Sequence, residues 1–340
     1  MKNCTTKTVI AALIGALLLG CGCGRREAPV VVVYTALDEM YSRPILEEFE
    51  RRTGINVKPA YDTEAAKTTG LVNRLVAEKP LPRADVFWNN EVAQTIVLKE
   101  KGVIERYASP SAAAIPPQFK DAEGYWTGFA ARARVIIYNT DLVEDPPTSI
   151  RDFLKEEWSG EAAIAVPLFG TTATHAAALF SAWGDDKAKE FFTGLLENDV
   201  AVLAGNATVR DMVALGEYAV GLTDTDDANA AVEDGLPTRW LMPDQEPDGL
   251  GTLVIPNTVA LVRGGPNPDG GKKLIDYLLS PDVEGRLSRM RSIQMPLNPS
   301  VEAPENVPRL DEVHAMDVSF EAIAAKMPTA ATFIQEEFLR

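Results

Sequence analysis

Three carboxylates stand close together after one short apolar segment. Asp224, Asp226 and Asp227 follow the run 219–223, whose composition predicts a buried strand. Carboxylate oxygens are hard ligands for a metal cation, and they pair equally with the ammonium group of an organic solute. Acidic residues just before a helix also cap its N-terminus and complement its dipole. The run therefore predicts either a site for a positively charged ligand or a helix cap.

A second loop has the composition of an anion site. Gly170, Thr171 and Thr172 begin a segment of helical character, where backbone N–H groups and hydroxyl donors are free to hold an anion. A threonine-rich helix cap without any ligand gives the same pattern. At another loop-to-helix turn, Thr63 is placed to cap the helix and Lys67 offers a positive charge to an anion.

Two arginines share one side of a predicted strand. Arg132 and Arg134 are two residues apart, so their side chains face the same way. Asn206 and Arg210 begin a predicted helix, and Arg210 adds a further donor for an anion. Each arginine serves equally well in a structural salt bridge, since the chain is acidic. We expect His175 to pack or to support the site rather than to bind a metal.

The elements that must position these residues begin with an alternation of strands and helices. The β-branched run Val30–Tyr34 is typical of a buried parallel strand. An amphipathic helix follows it and ends at Gly54. Residues 55–60 and 85–88 predict two more strands, with a helix over 64–78 between them. This order predicts an α/β domain with a parallel sheet.

A second α/β series occupies the middle of the chain. Its strands are predicted at 162–167, 201–203 and 219–223, and its helices at 171–183, 186–196 and 207–215. Two long strands, within 126–139 and 251–262, join the two series. We therefore predict two lobes, connected by two crossover hinge strands, with a ligand cleft between them. The predicted first lobe is 30–131 with 253–303, and the second is 132–252 with 304–340.

Composition excludes several classes of function. The formal net charge is −16, so the chain repels nucleic acid and offers no basic surface. The sequence contains none of the HExxH, GxSxG or Walker motifs, and it has only two histidines, which argues against a hydrolase. Its three cysteines all precede residue 24, so no disulfide is expected within a folded domain.

The first residues have the organisation of an export signal. Lys2 and Lys7 precede an apolar stretch that ends at Gly20 and is too short to span a bilayer. We predict a signal peptide over 1–20. The run Leu18–Cys21 resembles the lipobox of bacterial lipoproteins, which implies lipidation of Cys21 and a tether over 21–29. A plain secretory signal is the alternative.

Several segments in order resemble the ferric-ion-binding-protein group of periplasmic solute-binding proteins. They are Val32–Thr35, Phe49–Val57, Ala84–Phe87, Arg132–Thr140, Gly216–Ala219 and Pro296–Pro299. The resemblance implies a monomeric, lipid-anchored binding protein in the periplasm or on the cell surface, which closes about a hinge and delivers a small ligand to an ABC permease and its ATPase. It implies no cofactor, since bound Fe3+ or a phosphate-like anion would be cargo.

The resemblance also implies where the cleft residues lie. Two adjacent tyrosines that bind iron in that group fall here on Asp226 and Asp227. Its cleft carboxylate corresponds to Asn90 or Glu91, because the offset is one residue longer in this chain. Its cleft histidine falls at the end of the first strand. The remaining implied contacts are Thr35 and Asp38 at that strand end, and Gly170, Thr171, Thr172, Arg132, Asn206 and Arg210 around an anion.

Two ligands fit these residues. Iron(III) would be held by Asp224, Asp226, Asp227 and Glu91, with an anion on the threonine loop. A phosphorylated or phosphonate solute would place its anionic end at 170–172 and Arg132, and an ammonium end on the aspartates. The other hypotheses are a metal-assisted hydrolase that uses the loop 224–227 and a sensory lipoprotein that hands its ligand to a receptor.

Overall fold

The computed structural model describes residues 28–62 and 68–339. The strands are β1 (Val30–Thr35), β2 (Asn56–Tyr61), β3 (Val86–Asn89), β4 (Ile104–Glu105), β5 (Thr127–Asn139), β6 (Ala162–Ala165), β7 (Ala201–Leu203), β8 (Val220–Asp224), β9 (Thr238–Leu241) and β10 (Val254–Val262). The helices are α1 (Glu39–Thr53), α2 (Thr69–Ala77), α3 (Ala93–Glu100), α4 (Gly170–Trp183), α5 (Asp185–Glu197), α6 (Asn206–Ala214), α7 (Thr225–Glu233), α8 (Pro268–Leu278), α9 (Pro281–Ser288) and α10 (Phe320–Phe333).

Local sequence explains the first elements well. The β-branched residues of β1 pack on both sides, as expected for a strand with parallel neighbours on each edge. Helix α1 buries Ile45, Leu46 and Phe49 on one face. It ends at Gly54, which has a φ of 69° and donates its N–H to the carbonyl oxygen of Glu50. A left-handed residue at this place favours glycine, because a side chain there is strained.

One mixed sheet connects the whole molecule. Its strand order is β2-β1-β3-β10-β5-β8-β6-β7, with β4 on β10 and β9 on β5. Strand β1 is parallel to β2 and β3, and β6 is parallel to β7 and β8. Strands β5 and β10 run antiparallel to their neighbours. The chain therefore has the predicted α/β class with a parallel set of strands at each end.

Strand β5 passes from one end of the sheet to the other. Its residues Thr127–Ala133 pair with β10, whereas Arg134–Tyr138 pair with β8. Strand β10 in turn pairs with β3 through its last residues. We call β1–β4 with α1–α3, α8 and α9 the first lobe, and β6–β9 with α4–α7 and α10 the second lobe. The residue boundaries predicted for the lobes stay predictions.

The two crossover strands are irregular at the same level. Ala130 in β5 has a φ of 44°, and the register with β10 shifts beside it, between Pro256 and Asn257. Glu284 of α9 holds this region, since its carboxylate accepts N–H bonds from Ala130 at 2.7 Å and from Leu297 and Asn298 at 2.9 Å. The buried carboxylate thus ties the irregular residue of β5 to the segment 297–298.

Some elements differ from the sequence predictions. Helix α3 and strand β9 were not predicted, because each is too short to show a clear periodicity. Helix α10 begins at Phe320, where the Ser319 hydroxyl caps it by accepting the Ala322 N–H. Helix α10 packs on α4 through Phe333 and Phe180, whose rings lie 5.9 Å apart.

Among the described residues, the helices fall short of the length and apolar character that crossing a membrane requires.

Candidate functional site

A pocket lies where three helices of the second lobe begin. Its lining brings Asn90 of the first lobe together with Arg132 of β5 and residues of the second lobe. Of the predicted site residues it is lined by Asn90, Arg132, Gly170, Thr171, Thr172, Asn206, Asp224 and Asp227. Sequence reasoning missed Ala165, Val166, Phe169, Ala204 and Gly205, which also line it. Their position directly after β6 and β7 was the available signal, since ligands lie beyond the carboxyl ends of such strands.

The three helix N-termini at this pocket lack side-chain caps. Helices α4, α6 and α7 begin after Phe169, Gly205 and Asp224, and none of these residues accepts an N–H bond from its own helix through its side chain. The positive ends of three helix dipoles therefore converge on one pocket. Such a place favours an anion, because the first N–H groups of a helix have no partner within the helix itself. Asp224 does not cap α7 through its carboxylate, whereas Asp226 Oδ1 accepts the Asp227 N–H in the first turn at 3.1 Å.

Asp224 is instead the partner of a buried arginine. Its Oδ1 lies 2.7 Å from Nη1 of Arg134, and its Oδ2 accepts from the Thr171 hydroxyl at 2.5 Å and from Asn206 Nδ2 at 3.0 Å. Burial opposes ionisation, but Arg134 and Arg132 outweigh it and hold the pKa of the Asp224 carboxyl below its usual value. The aspartate is therefore a charged, fully bonded part of the pocket wall.

Arg132 joins the second aspartate to the first lobe. Its Nη1 lies 3.0 Å from Oδ2 of Asp226, and its Nη2 donates to the backbone carbonyl of Asn90. Burial acts to lower the pKa of Arg132, but Asp226 and Asp224 raise it, so the guanidinium stays charged. The two arginines of β5 thus face one side, as their spacing predicts, and both meet the aspartates of the loop before α7.

Asp227 is the most accessible of the three carboxylates. Its side chain is 22% exposed, and its Oδ1 lies 3.5 Å from Nη1 of Arg210, which is 23% exposed. Arg210 also contacts Asp211 at 2.8 Å. A long arginine that is shared between two partly exposed partners can reorient towards a bound anion at little cost. Asp227 and Arg210 are therefore the charges best able to respond to a ligand.

The three aspartates satisfy one requirement of a cation site. Asp224, Asp226 and Asp227 each bring a carboxylate oxygen within 4.8 Å of the others. Glu91 does not belong to this group. Its Oε1 accepts from Asn89 Nδ2 at 2.8 Å and from the Gln94 N–H at 2.9 Å, so it anchors the first turn of α3. Burial raises the pKa of Glu91.

Asn90, the other candidate for the cleft position, lines the pocket. Its side chain is held by the Thr68 hydroxyl, which donates to Oδ1 at 2.7 Å. Thr35 is buried at the end of β1, where its hydroxyl accepts the Leu37 N–H at 3.2 Å. Asp38 precedes α1 and lies close enough to Arg132 to raise the pKa of that guanidinium.

Tyr41 is a neighbour of the site that sequence reasoning missed. Burial raises the pKa of its phenol most, and the nearby carboxylates of Asp226, Asp38 and Asp227 raise it further. The phenol is therefore neutral and can act as a hydrogen-bond donor. Its position in the first turn of α1, three residues after Asp38, was the signal that could have found it.

His175 does not line the pocket of the aspartates. It is buried in α4 and faces an apolar pocket lined by Phe153, Ile164, Leu179 and Phe191. Burial, together with the charge of Arg134, lowers the pKa of His175 to about 3. The predicted contacts Thr63 and Lys67, the lipidated Cys21 and the signal peptide lie outside the described residues.

Comparison with known proteins decides the family. The family model for bacterial extracellular solute-binding proteins matches residues 45–315. The chain belongs to this family. Its members bind solutes rather than catalyse reactions, so the hypothesis of a metal-assisted hydrolase is wrong, and the predicted class of ABC-importer binding protein, acting outside the cytoplasm, is confirmed.

Individual relatives of this solute-binding protein are named for different ligands. It is 24% identical to "Iron uptake protein A1" of Synechocystis sp., over 97% of this chain and 95% of that protein. It is 26% identical to a "Putative 2-aminoethylphosphonate-binding periplasmic protein" of Salmonella typhi, over 78% of this chain and 76% of that protein. Both kinds of ligand that the sequence left open therefore occur among its relatives.

Solved structures confirm the fold. The crystal structure of iron-bound HitA from Pseudomonas aeruginosa superposes with a TM-score of 0.80 at 22% identity, and the match covers 90% of this chain and 99% of that one. The predicted two-lobed α/β architecture with a central sheet is thus confirmed, as is the resemblance to ferric-ion-binding proteins. At this identity the likeness concerns the fold and leaves the ligand to the residues of the pocket.

Proposed function

We propose that this solute-binding protein captures a small solute that carries a phosphonate or phosphate group, closes its two lobes around it and delivers it to an ABC permease and ATPase. The observation that carries this proposal is the convergence on one pocket of three helix N-termini whose N-cap side chains make no capping bond. A tetrahedral oxyanion matches these N–H groups, because each of its oxygens can accept several bonds.

The surrounding charges support an ammonium group at the other end of the solute. Asp227 lies at the rim, and its partner Arg210 can move from it to the anion. A cationic amine would then replace Arg210 beside Asp227 while the guanidinium helps to neutralise the phosphonate. A zwitterionic aminoalkyl phosphonate satisfies both ends, and a relative named for such a solute agrees with this choice.

Iron(III) is the second candidate, because three carboxylates meet within 4.8 Å. The ion pairs of the pocket oppose it. Asp224 and Asp226 are already neutralised by Arg134 and Arg132, at 2.7 and 3.0 Å, so a trivalent cation would have to displace or closely approach two guanidinium groups. The tyrosines that the iron-binding relatives use are absent from this loop.

Calorimetric titration of the full chain distinguishes these ligands. We expect 2-aminoethylphosphonate to bind and ferric citrate not to bind. Ethylphosphonate differs only in lacking the amine, so Asp227→Asn should weaken 2-aminoethylphosphonate roughly tenfold or more and affect ethylphosphonate less. Asp311→Asn, on the exposed segment near 310, is the matched control. Tight ferric binding without phosphonate binding would contradict the proposal.

We further propose that the mature protein is anchored through lipidated Cys21, which the lipobox-like run 18–21 supports. Mass spectrometry of the protein from membranes should show a diacylglyceryl group on this cysteine. Cys21→Ser should release the protein from the membrane fraction. A variant that stays in that fraction would exclude the anchor.

A further inference from the structure

A continuous series of hydrogen-bonded, buried polar side chains links the second lobe to the crossover strand β10. It starts at Thr174 of α4, whose hydroxyl donates to Glu91 Oε2 at 2.9 Å across the interface between the lobes. Asn89 donates one N–H to Glu91 Oε1 at 2.8 Å and another to the Thr95 hydroxyl at 3.1 Å. Thr95 meets the hydroxyl of Thr258 in β10 at 2.7 Å. All five side chains are 0% exposed.

Within the first lobe, the hydrogen bonds of this series form without any contribution from the second lobe. Besides Asn89, the Glu91 carboxylate accepts the backbone N–H of Ala93 at 2.6 Å and that of Gln94 at 2.9 Å. The Thr258 hydroxyl donates to the backbone carbonyl of Glu91 at 3.1 Å. The carboxylate is therefore fixed in place and pre-organised to accept one more bond.

Thr174 has a choice of two acceptors. Its hydroxyl has one proton, and it lies 2.9 Å from Glu91 Oε2 in the first lobe and 3.3 Å from the Gly170 carbonyl in its own helix. Lobe separation would transfer the proton to the Gly170 carbonyl, so the hydroxyl stays satisfied in both arrangements. Glu91 Oε2 is the nearer acceptor, at 2.9 Å against 3.3 Å, which favours the closed arrangement.

We propose that Glu91 and Thr174 form a latch that stabilises the closed form of the protein before any ligand is bound. The inference rests on the lobe closure put forward under the proposed function, but not on the identity of the ligand. Neither side chain lines the pocket of the aspartates, so the latch does not contact the ligand. It would raise the affinity for a ligand by increasing the fraction of protein in the closed form.

Small-angle X-ray scattering of the ligand-free full chain tests the latch. Thr174→Val keeps the shape of the side chain and removes the hydroxyl, so we expect a larger radius of gyration and a roughly tenfold lower ratio of closed to open protein. Thr174→Ser restores the hydroxyl and should restore the scattering profile. Thr193→Val, an exposed threonine on α5, is the control for a neutral substitution in the same lobe.

Two results would overturn the latch. One is an unchanged radius of gyration in Thr174→Val, and the other is a serine variant that scatters like the valine variant. Thermal unfolding followed by circular dichroism verifies that each variant is folded, and Glu91→Gln provides a second route to the same weakened contact. Because no ligand is added, failure of the phosphonate titration leaves this test valid, and a failed latch leaves the ligand proposal standing.

Discussion

Arg134 and Asp224 form a fully buried ion pair, with 2.7 Å between Nη1 and Oδ1 and exposures of 0% and 2%. The pair lies at the base of the ligand pocket, where β5 meets β8. The pair neutralises one carboxylate of the acidic run 224–227, so this part of the pocket wall carries no net charge. The anion that we propose for the pocket would therefore be held by helix termini rather than by unpaired basic residues.

Replacing Arg134 should strongly destabilise the protein. Arg134→Met leaves the Asp224 carboxylate buried without its closest cation. Breaking a buried pair in this way costs about 3–5 kcal/mol of unfolding free energy. Urea denaturation followed by tryptophan fluorescence measures the loss. The matched control is Arg309→Met, because Arg309 pairs with Asp311 at the exposed surface, 2.9 Å apart. Equal losses in the two variants would contradict the assignment of a structural role to the buried pair.

Arg210 should affect binding without affecting stability. Arg210→Met removes a partly exposed cation from the pocket rim and takes this guanidinium away from Asp227. Both changes oppose an anionic ligand, so the Kd for 2-aminoethylphosphonate should rise roughly tenfold. Calorimetry at two salt concentrations measures the change, which should shrink as salt screens the charge. An unchanged Kd at low salt would exclude Arg210 from the site.

His175 should make stability depend on pH in the mildly acidic range. Burial lowers its folded-state pKa to about 3, whereas an unfolded histidine has a pKa of about 6.5. The unfolded state thus takes up a proton first, and the unfolding free energy falls as pH drops from about 6.5 towards 3.

The comparison with His175→Leu isolates this effect. Between pH 6.5 and 5 the wild-type protein should lose about 1–2 kcal/mol more than the leucine variant. Urea denaturation at several pH values measures both slopes. An NMR titration of the His175 imidazole with a midpoint near 6.5 would show that the prediction is wrong.

Glu284 should have the opposite dependence. Burial raises the pKa of this carboxyl, against the three backbone N–H bonds that lower it. The folded state therefore keeps its proton at a pH where the unfolded state, with a pKa near 4.5, has lost it. Its stabilising contribution is full below about 4.5 and is lost as pH rises through the folded-state pKa. A carbon-13 titration of the Glu284 carboxyl with a midpoint at or below 4.5 would contradict this.

The order of elements was readable from local pattern alone. Short-range periodicity shows which nearby residues share a strand or a helix face. It therefore predicted the β-branched strand β1, the apolar face of α1 and the end of that helix at Gly54. The same reasoning places Arg132 and Arg134 on one side of β5, because alternate residues of a strand face the same way. Two α/β series joined by two long strands indicated the two-lobed arrangement, and the family resemblance agreed with it.

The partners of these residues were decided only by the tertiary structure. Arg134 and Asp224 are 90 positions apart, and their contact exists because β5 crosses the sheet to pair with β8. Asn90 and Glu91 are adjacent, yet Asn90 lines the pocket, whereas the Glu91 carboxylate anchors the first turn of α3. The sequence determined which charged residues the site contains. Tertiary packing determined which of them neutralise each other, because ion pairing depends on distance and burial, which no local sequence pattern encodes.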